Sequence, residues 1–416
     1  MRTRTGSAQV RTGLLVTVLL IGLSACGGGR GTASSAAESA PESAPGSAAD
    51  SSSGAPSGSS SAPSAEPSSE PPGQSRSCAD RTLAALDLDE QVGQLLMMGV
   101  PAPDPVSGIA ALSGVPVGGV FLAGRSSAGA QSVGAAVAQL QASSAVPLQV
   151  AVDQEGGLVQ ALKGPGLDLL PTGLQQGRQD PAALRAATAG WAAQLHGAGI
   201  TMDLAPVADT VPAGTEAQNP PIGAFDRQFG SDPQAVAASV TAVVGALQDS
   251  GVVATAKHFP GLGRVRVNTD TAAGATDPET SPTDPYLEPF AAAVDAGVGA
   301  VMVSSASYPQ LDPDSLALFS PAVLGLLRGQ LGFDGVVITD DVGEAVALSA
   351  VPVPLRAVDA VAAGVDVVLD KDPGHAVPMA QALAERAGAD PAFADRVRES
   401  AGRVLTLKER FGLLTC

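Results

Sequence analysis

The chain has 416 residues and a formal net charge of −18, with 23 basic against 41 acidic side chains. This balance argues against a nucleic-acid partner and against adhesion to an anionic membrane by charge. It suits an exposed domain kept soluble by repulsion.

The first segment carries Arg2, Arg4 and Arg11 ahead of the apolar run Leu14 to Leu23, then Ser24, Ala25 and Cys26. A basic start, a short apolar run and small residues before a cleavage point make an export signal. The run is too short for a stable membrane span. The arrangement resembles a bacterial lipoprotein signal. That resemblance implies removal of residues 1–25, acylation of Cys26, and a protein held by lipid on the extracytoplasmic face of the cell membrane. An ordinary secretory signal or a single anchor helix is the alternative. Residues 26–77 are almost entirely Gly, Ser, Ala, Pro and acidic residues. They cannot bury enough apolar area to offset their ordering entropy, so they read as a disordered tether. Of the three cysteines, Cys78 and Cys416 bracket the remaining region. An oxidising compartment makes a disulfide between them plausible, and two free thiols are the other reading.

Residues 78–416 read as one domain. Leu86 to Gln94 is a short helix feeding a first strand, Leu95 to Val100. Gly119 to Leu122 is the second strand, and Leu148 to Val152, ending in Asp153, is the third. Thr201 to Leu204 is the fourth, Val252 to Ala256 the fifth and Ala300 to Val303 the sixth. Val336 to Thr339 and Val365 to Leu369 complete the set. Helical patterns alternate with them over Gly129 to Ala142, Pro181 to Gly197, Asp232 to Ser250, Pro285 to Ala296, Pro321 to Gly329 and Ala357 to Ala363. A last helical region runs from Ala376 to Arg410, broken near Asp390-Pro391. Asp232-Pro233 reads as an N-cap with proline at the first helical position. Eight short apolar strands with helices between them predict an α/β fold, a (β/α)8 TIM barrel. The rival, a doubly wound open sheet, would show a glycine fingerprint after its first strand, where Val100-Pro101-Ala102 stands instead. No GxxxxGK[ST] phosphate loop is present, and no cofactor is expected.

In such a barrel the strand C-termini converge on one mouth. Those positions hold Asp153, Asp209, Lys257, His258, Ser304, Asp340, Asp341 and Asp370. Val252 to Asp270 is the most informative stretch: a buried run, then Lys257-His258, then a glycine-bearing loop with Arg264, Arg266, Asn268 and Asp270. A salt-bridged loop around a core strand is the plainer reading of the same residues. Paired carboxylates point to glycoside hydrolysis, in which one ionised group attacks the anomeric carbon and a second donates and then removes a proton. Asp340, at the end of a rigid strand, suits the nucleophile. Asp270, on a loop, suits the acid/base. Asp153 and Lys257 suit hydrogen bonds to sugar hydroxyls. Asp341 reads as a cap on the helix after strand seven, Asp209 also fits a loop cap, and Asp370 reads as solvated surface. The stretch Asp153 to Gly157 also fits a simple turn. The three histidines, His196, His258 and His375, show no metal-ligand spacing, although a carboxylate-rich mouth leaves Mg²⁺ open.

The segments Ala151-Val152-Asp153-Gln154-Glu155-Gly156-Gly157, Asp203-Leu204-Ala205-Pro206-Val207-Ala208-Asp209, Asn219-Pro220 and Arg227 to Pro233 stand in this order. Lys257-His258-Phe259-Pro260-Gly261, Leu331 to Val337 and Thr339-Asp340-Asp341 follow. With them the chain resembles glycoside hydrolase family 3, in its single-domain, NagZ-like β-N-acetylglucosaminidase branch. The resemblance implies a (β/α)8 barrel and retaining double displacement on β-linked sugars. It implies Asp340 as nucleophile, with Asp153, Arg227, Lys257 and His258 gripping the sugar. One loop departs from the branch pattern KHFPGHGDTxxDSH and reads KHFPGLGRVRVNTD. Leu262 replaces a histidine, Arg264 an aspartate, and Asn268-Thr269-Asp270 stands where Asp-Ser-His supplies the acid/base dyad. Two expectations follow: either Asp270 takes over as acid/base, or the protein is a lipid-anchored glycan-binding or scaffolding protein with little hydrolysis.

Overall fold

The computed structural model describes residues 76–416. The export signal, Cys26 and nearly all of the 26–77 tether lie outside the described residues. Eight parallel strands form the sheet: β1 (Leu96–Pro101), β2 (Gly119–Ala123), β3 (Gln149–Val152), β4 (Met202–Asp203), β5 (Val253–Phe259), β6 (Ala300–Val303), β7 (Val336–Thr339) and β8 (Val368–Asp370). Their order is β7-β6-β5-β4-β3-β2-β1-β8. A parallel bridge from Ile338 of β7 to Val367, just ahead of β8, closes the ring, and the Thr339 N–H donates to the Val367 carbonyl at 3.0 Å. The barrel is therefore the expected one, and the open sheet is excluded.

Around the sheet run α1 (Cys78–Ala85), α2 (Leu88–Gln94), α3 (Ala130–Ala142), α4 (Pro181–Gly197), α5 (Pro233–Asp249), α6 (Glu288–Asp295), α7 (Pro321–Gly325), α8 (Val353–Ala363), α9 (Ala376–Ala389) and α10 (Pro391–Arg410). Three of them begin alike. At Asp180-Pro181, Asp232-Pro233 and Asp390-Pro391 the aspartate side chain accepts first-turn N–H groups and the proline occupies the first helical position. Aspartate satisfies donors the helix cannot, and proline lacks the N–H that would be orphaned there.

Strand alternation divides the apolar side chains into two cores. Met97, Phe121, Ala151, Met202, Val253, Met302 and Ile338 fill the barrel, joined at its N-terminal end by Val404 and Leu407 of α10. Their alternates, such as Met98, Val120, Val150, Ala254 and Val337, pack outward against the helices.

The structure differs from expectation in places. α1 was not foreseen from sequence. β5 runs past Ala256 through Lys257, His258 and Phe259, with a register irregularity between Lys257 and Phe259. The polar tip is thus part of the strand, because its charges find partners inside the mouth. The helix Pro321 to Gly329 is a short α-helix followed by a π-turn over Leu326–Gln330. Two antiparallel hairpins, Gln154–Gly156 with Val159–Gln160 and Ser307–Tyr308 with Asp312–Leu316, decorate the mouth.

Both ends of the domain meet on α10. A disulfide joins Cys78 to Cys416, with Cα atoms 5.8 Å apart and a sequence separation of 338. The Glu409 carboxylate accepts the N–H groups of Cys78 at 2.9 Å and Ala79 at 3.0 Å. The residue before Glu409, Lys408, is fully buried, and its Nζ lies 2.7 Å from Gln94 Oε1. Burial pulls this amine down to about 7.

That burial predicts a pH signature in stability. Below about pH 7 the amine is charged in both folded and unfolded chains, and the fold bears the full desolvation cost. Between about 7 and about 10.4 the folded amine is neutral while the unfolded one keeps its proton, so stability rises with pH by an amount on the order of 4 kcal/mol. The double variant Lys408→Met/Gln94→Leu should lose this rise and exceed the parent at about pH 6, as read by chemical denaturation at about pH 6 and about pH 9.

Candidate active site

The mouth of the barrel is built around one buried ammonium. Lys257 sits at the end of β5, its side chain 3% exposed, with Nζ 2.7 Å from Asp153 Oδ1 and 2.6 Å from Glu155 Oε1. Asp153 follows β3 directly. Glu155 reaches the same cation because the hairpin after β3 turns at Gly156 and Gly157, whose φ values of 108° and 56° are left-handed. Glycine adopts these angles without a Cβ clash. The stretch is both a turn and part of the site.

Glu155 serves a second cation. Arg227 donates to it from Nε at 2.8 Å and Nη2 at 2.7 Å, and from Nη1 to the Pro221 carbonyl at 2.7 Å. Burial pushes the Glu155 carboxyl up, but the charges of Arg227 and Lys257 outweigh it and hold it at about 2. For Lys257, burial acts downward, yet Asp153 and Glu155 raise its pKa above the ordinary lysine value. Glu155, Arg227 and Lys257 are therefore ionised at neutral pH.

His258 follows in the chain. Its Nδ1 lies 2.7 Å from Asp209 Oδ2 and its Nε2 lies 3.4 Å from Arg227 Nη2. Asp209 is fully buried and also accepts the N–H groups of His258 and Leu262. In the tautomer with its hydrogen on Nδ1, the ring donates to the Asp209 carboxylate and turns Nε2 toward Arg227 as an acceptor. Behind Glu155 stands Asp203, which accepts the Gln154 N–H at 3.0 Å. Burial is its largest influence and drives its carboxyl up to about 8, so it is protonated at neutral pH.

Across the mouth, Asp340 comes directly after β7. Its N–H continues the ladder to the Val303 carbonyl at 3.1 Å, and its Oδ1 accepts the Asp341 N–H at 2.8 Å. Asp270 stands on the rim, exposed on one side, in a loop docked on the 345–348 turn through Ala347 N–H to the Thr269 carbonyl at 3.1 Å. Its carboxyl is raised above the ordinary value by partial desolvation and then by the charge of Asp340, with Lys371 and His258 pulling the other way.

Asp153, Arg227, Lys257, His258, Asp270 and Asp340 all line one cavity of about 170 Å³. A cavity of about 150 Å³ accepts a single six-membered ring. Phe121, Leu262 and Met302 give it apolar walls. Among the described residues no cluster of three or more His, Cys, Asp or Glu side chains is arranged to hold a metal.

Several expectations need correction. Asp370 is not solvated surface: it is fully buried, accepts from the Asp372 N–H, and lies 2.9 Å from His375 Nδ1. It lies under Gly343, where any Cβ would strike its carboxylate. Asp341 caps no helix. It accepts the N–H groups of Gly343, Glu344 and Lys371, pinning the turn after β7 to the end of β8. Ser304 points away from the cavity lining and bonds the Tyr308 hydroxyl at 2.9 Å. Glu155 as the counter-ion shared by Lys257 and Arg227, and Lys371 as a cavity-wall group, were missed, and Asp209 was underread as a cap. The signal for Glu155 was available in the charges: two cations at buried positions need more than one anion. Lys371 lines the cavity with its Nζ 3.5 Å from Asp341 Oδ2. Nothing in its local sequence, Asp-Lys-Asp, marks it as facing inward.

Residues 87–407 match the model of the glycosyl hydrolase family 3 N terminal domain. The chain belongs to glycoside hydrolase family 3. It is a glycosidase, hydrolysing O-glycosyl bonds of β-linked sugars. It is similar to a beta-hexosaminidase of Xanthomonas oryzae pv. oryzae, 38% identical over 280 residues that cover 65% of this chain and 81% of the relative. Its fold is similar to the crystal structure of a beta-N-acetylhexosaminidase from Beutenbergia cavernae, with TM-score 0.76 and 48% identity over 78% of this chain and 99% of that one. A family 3 beta-N-acetylglucosaminidase from a Paenibacillus species aligns with TM-score 0.71 and 33% identity, over 80% of this glycosidase and 64% of the longer relative.

The shared carboxylate gives a sharp expectation. Glu155→Gln leaves two buried cations undercompensated and should cost about 3–5 kcal/mol of stability. A carboxylate held at about 2 stabilises above the unfolded value of about 4.3 and loses that effect only as pH falls toward 2. Denaturation of parent and variant should therefore show the same gap at about pH 5 and about pH 8.

Proposed function

We propose that this family 3 glycosidase is a retaining, exo-acting β-N-acetylhexosaminidase with Asp340 as nucleophile and Asp270 as acid/base. One observation carries the reading. Asp340 and Asp270 line the same cavity, and among the described residues neither meets a cation or an imidazole at ion-pair distance, whereas Asp153, Glu155 and Asp341 each meet a cation and Asp209 meets the His258 ring. An unpaired carboxylate at a strand end is free to attack. A second one on the rim is free to exchange a proton.

The chemistry is a double displacement. The Asp340 carboxylate attacks the anomeric carbon while Asp270, protonated, gives its proton to the departing glycosidic oxygen. Asp340 is then esterified and no longer charged, which removes one of the influences that raise Asp270. Its carboxyl falls, and it takes a proton from the water that displaces Asp340 and releases the sugar. The floor of Asp153, Lys257 and Arg227, with His258 beside it, offers charge-assisted hydrogen bonds to the hydroxyls of a single terminal sugar. The names and identities of the relatives support an N-acetylhexosamine in that position. The amino-terminal sequence supports placement as a lipoprotein, acylated at Cys26, on the extracytoplasmic face of the cell membrane, where envelope glycans are within reach.

Two measurements test the reading. Asp340→Ala should abolish turnover of nitrophenyl β-N-acetylglucosaminide, and a 2-fluoro sugar donor should label Asp340 in the parent. No adduct together with no turnover would leave only glycan binding. Asp270→Ala should lower turnover of disaccharides by about 10²–10⁴-fold, spare activated aryl glycosides, and recover partly with azide. Disaccharide turnover at the parent level would remove Asp270 from the mechanism.

A further inference from the structure

We propose that Arg264 is a positioning residue that holds the Asp270 loop in its working place, an inference that rests on the reading of Asp270 as acid/base. Between the end of β5 and the short 3-10 turn at Pro285 the chain has no helix or paired strand. The Ala347 N–H to Thr269 carbonyl bond and the Asp270 N–H to Asn268 Oδ1 bond hold the loop locally at Asp270, so its aim rests on how the front half of the loop is fixed, and an aspartate is too short to compensate for a displaced backbone. Arg264, six residues earlier, supplies the fixture. Its guanidinium grips Asp284 with both ends, Nη1 to Oδ2 at 2.7 Å and Nη2 to Oδ1 at 3.2 Å. Nη1 also donates to Thr280 Oγ1 at 3.1 Å, Nε lies 3.6 Å from Glu279, and the cation lies 3.8 Å over the Tyr286 ring. Only 13% of the side chain is exposed.

The surface it grips is itself rigid. Asp277 accepts the N–H groups of Glu279 and Thr280 and the Thr280 hydroxyl, and its own N–H donates to the Ser307 carbonyl. Asp284 caps the turn at Pro285 by accepting the Tyr286 N–H at 2.8 Å. Asn219 secures the same loop from the other side, its Nδ2 donating at 2.7 Å to the carbonyls of Leu262 and Val265. The peptide at Gly263 passes so close to Thr210 that a Cβ would strike its carbonyl. Arg264 thus closes a frame around the front half of the loop, and Asp270 projects from the back half. A bidentate Arg–carboxylate pair stacked on an aromatic ring constrains direction as well as distance, which a lysine cannot do.

The test uses Arg264→Ala and Arg264→Lys, with Arg266→Ala as control, since Arg266 lies on the same loop but only meets Gln218. Arg264→Ala should lower kcat on disaccharides by about 10²-fold, with less than about threefold loss on activated aryl glycosides, because only the former need the proton. Hydrogen exchange over 262–271 should quicken by about tenfold or more while β1–β8 stay unchanged. Arg264→Lys should fall between, and the control should match the parent. Equal losses on both substrate classes, or unchanged exchange in the loop, would overturn the proposal. Should Arg264→Ala fail to fold, Tyr286→Leu removes the stacked ring alone and should give the same split in smaller degree. Failure of the Asp270 reading looks different: Asp270→Ala then turns over disaccharides like the parent, and loop exchange alone decides the anchor, faster exchange upholding it and unchanged exchange overturning it.

Discussion

The buried ammonium of Lys257 is the constraint on which the mouth of this barrel depends. A lysine with 3% of its side chain exposed keeps its proton at neutral pH because anions meet it; burial without them would pull it down, as it does Lys408. Asp153 and Glu155 meet it from beyond β3, and Glu155 in turn meets Arg227 from the loop before α5. Three separate stretches of chain are thereby tied at one point, with β4 enclosed between β3 and β5. The glycine turn at Gly156 and Gly157 exists to bring Glu155 under that cation.

The carboxylates of the mouth fall into two groups by environment. Those that meet cations or a histidine are spent on structure and on presenting hydrogen-bond donors in fixed directions. Those that meet none, Asp270 and Asp340, are the ones the proposed reaction uses. Identical side chains thus take different work, as in other sites where surroundings push titrating groups apart. Lys371 mediates between the groups: it pairs with Asp341 and pulls the Asp270 carboxyl down against Asp340, which pushes it up.

Stability is concentrated at the opposite end. There α10 plugs the barrel with Val404 and Leu407, the chain ends are joined through Cys78 and Cys416, and the buried Asp366 carboxylate receives Arg328, Arg396 and Arg403. This division is general to the architecture, in which the C-terminal face carries the site and the N-terminal face the packing. It leaves the loops at the mouth, such as that from Leu262 to Asp270, clear of what holds the barrel shut.

The eight strands were legible in the sequence because strands of a parallel barrel are buried on both faces and so are written as short apolar runs. The helix starts were legible because Asp-Pro carries its own local physics. Asp153, Lys257, His258 and Asp340 were legible as cavity residues because a strand order implies a mouth and these stand at strand ends, Asp270 because the loop after Lys257-His258 carries it, and Arg227 only through the family resemblance. What the sequence could not decide was partnership. Whether Glu155 is a turn residue or a counter-ion, whether Asp370 faces solvent or His375, and whether Lys371 faces the cavity depend on what stands opposite across the barrel. The chain length between partners, from Asp153 to Lys257 or from Arg264 to Asp284, leaves no local trace. Local propensity and patterning set the elements, and only the closed ring decided which charges meet.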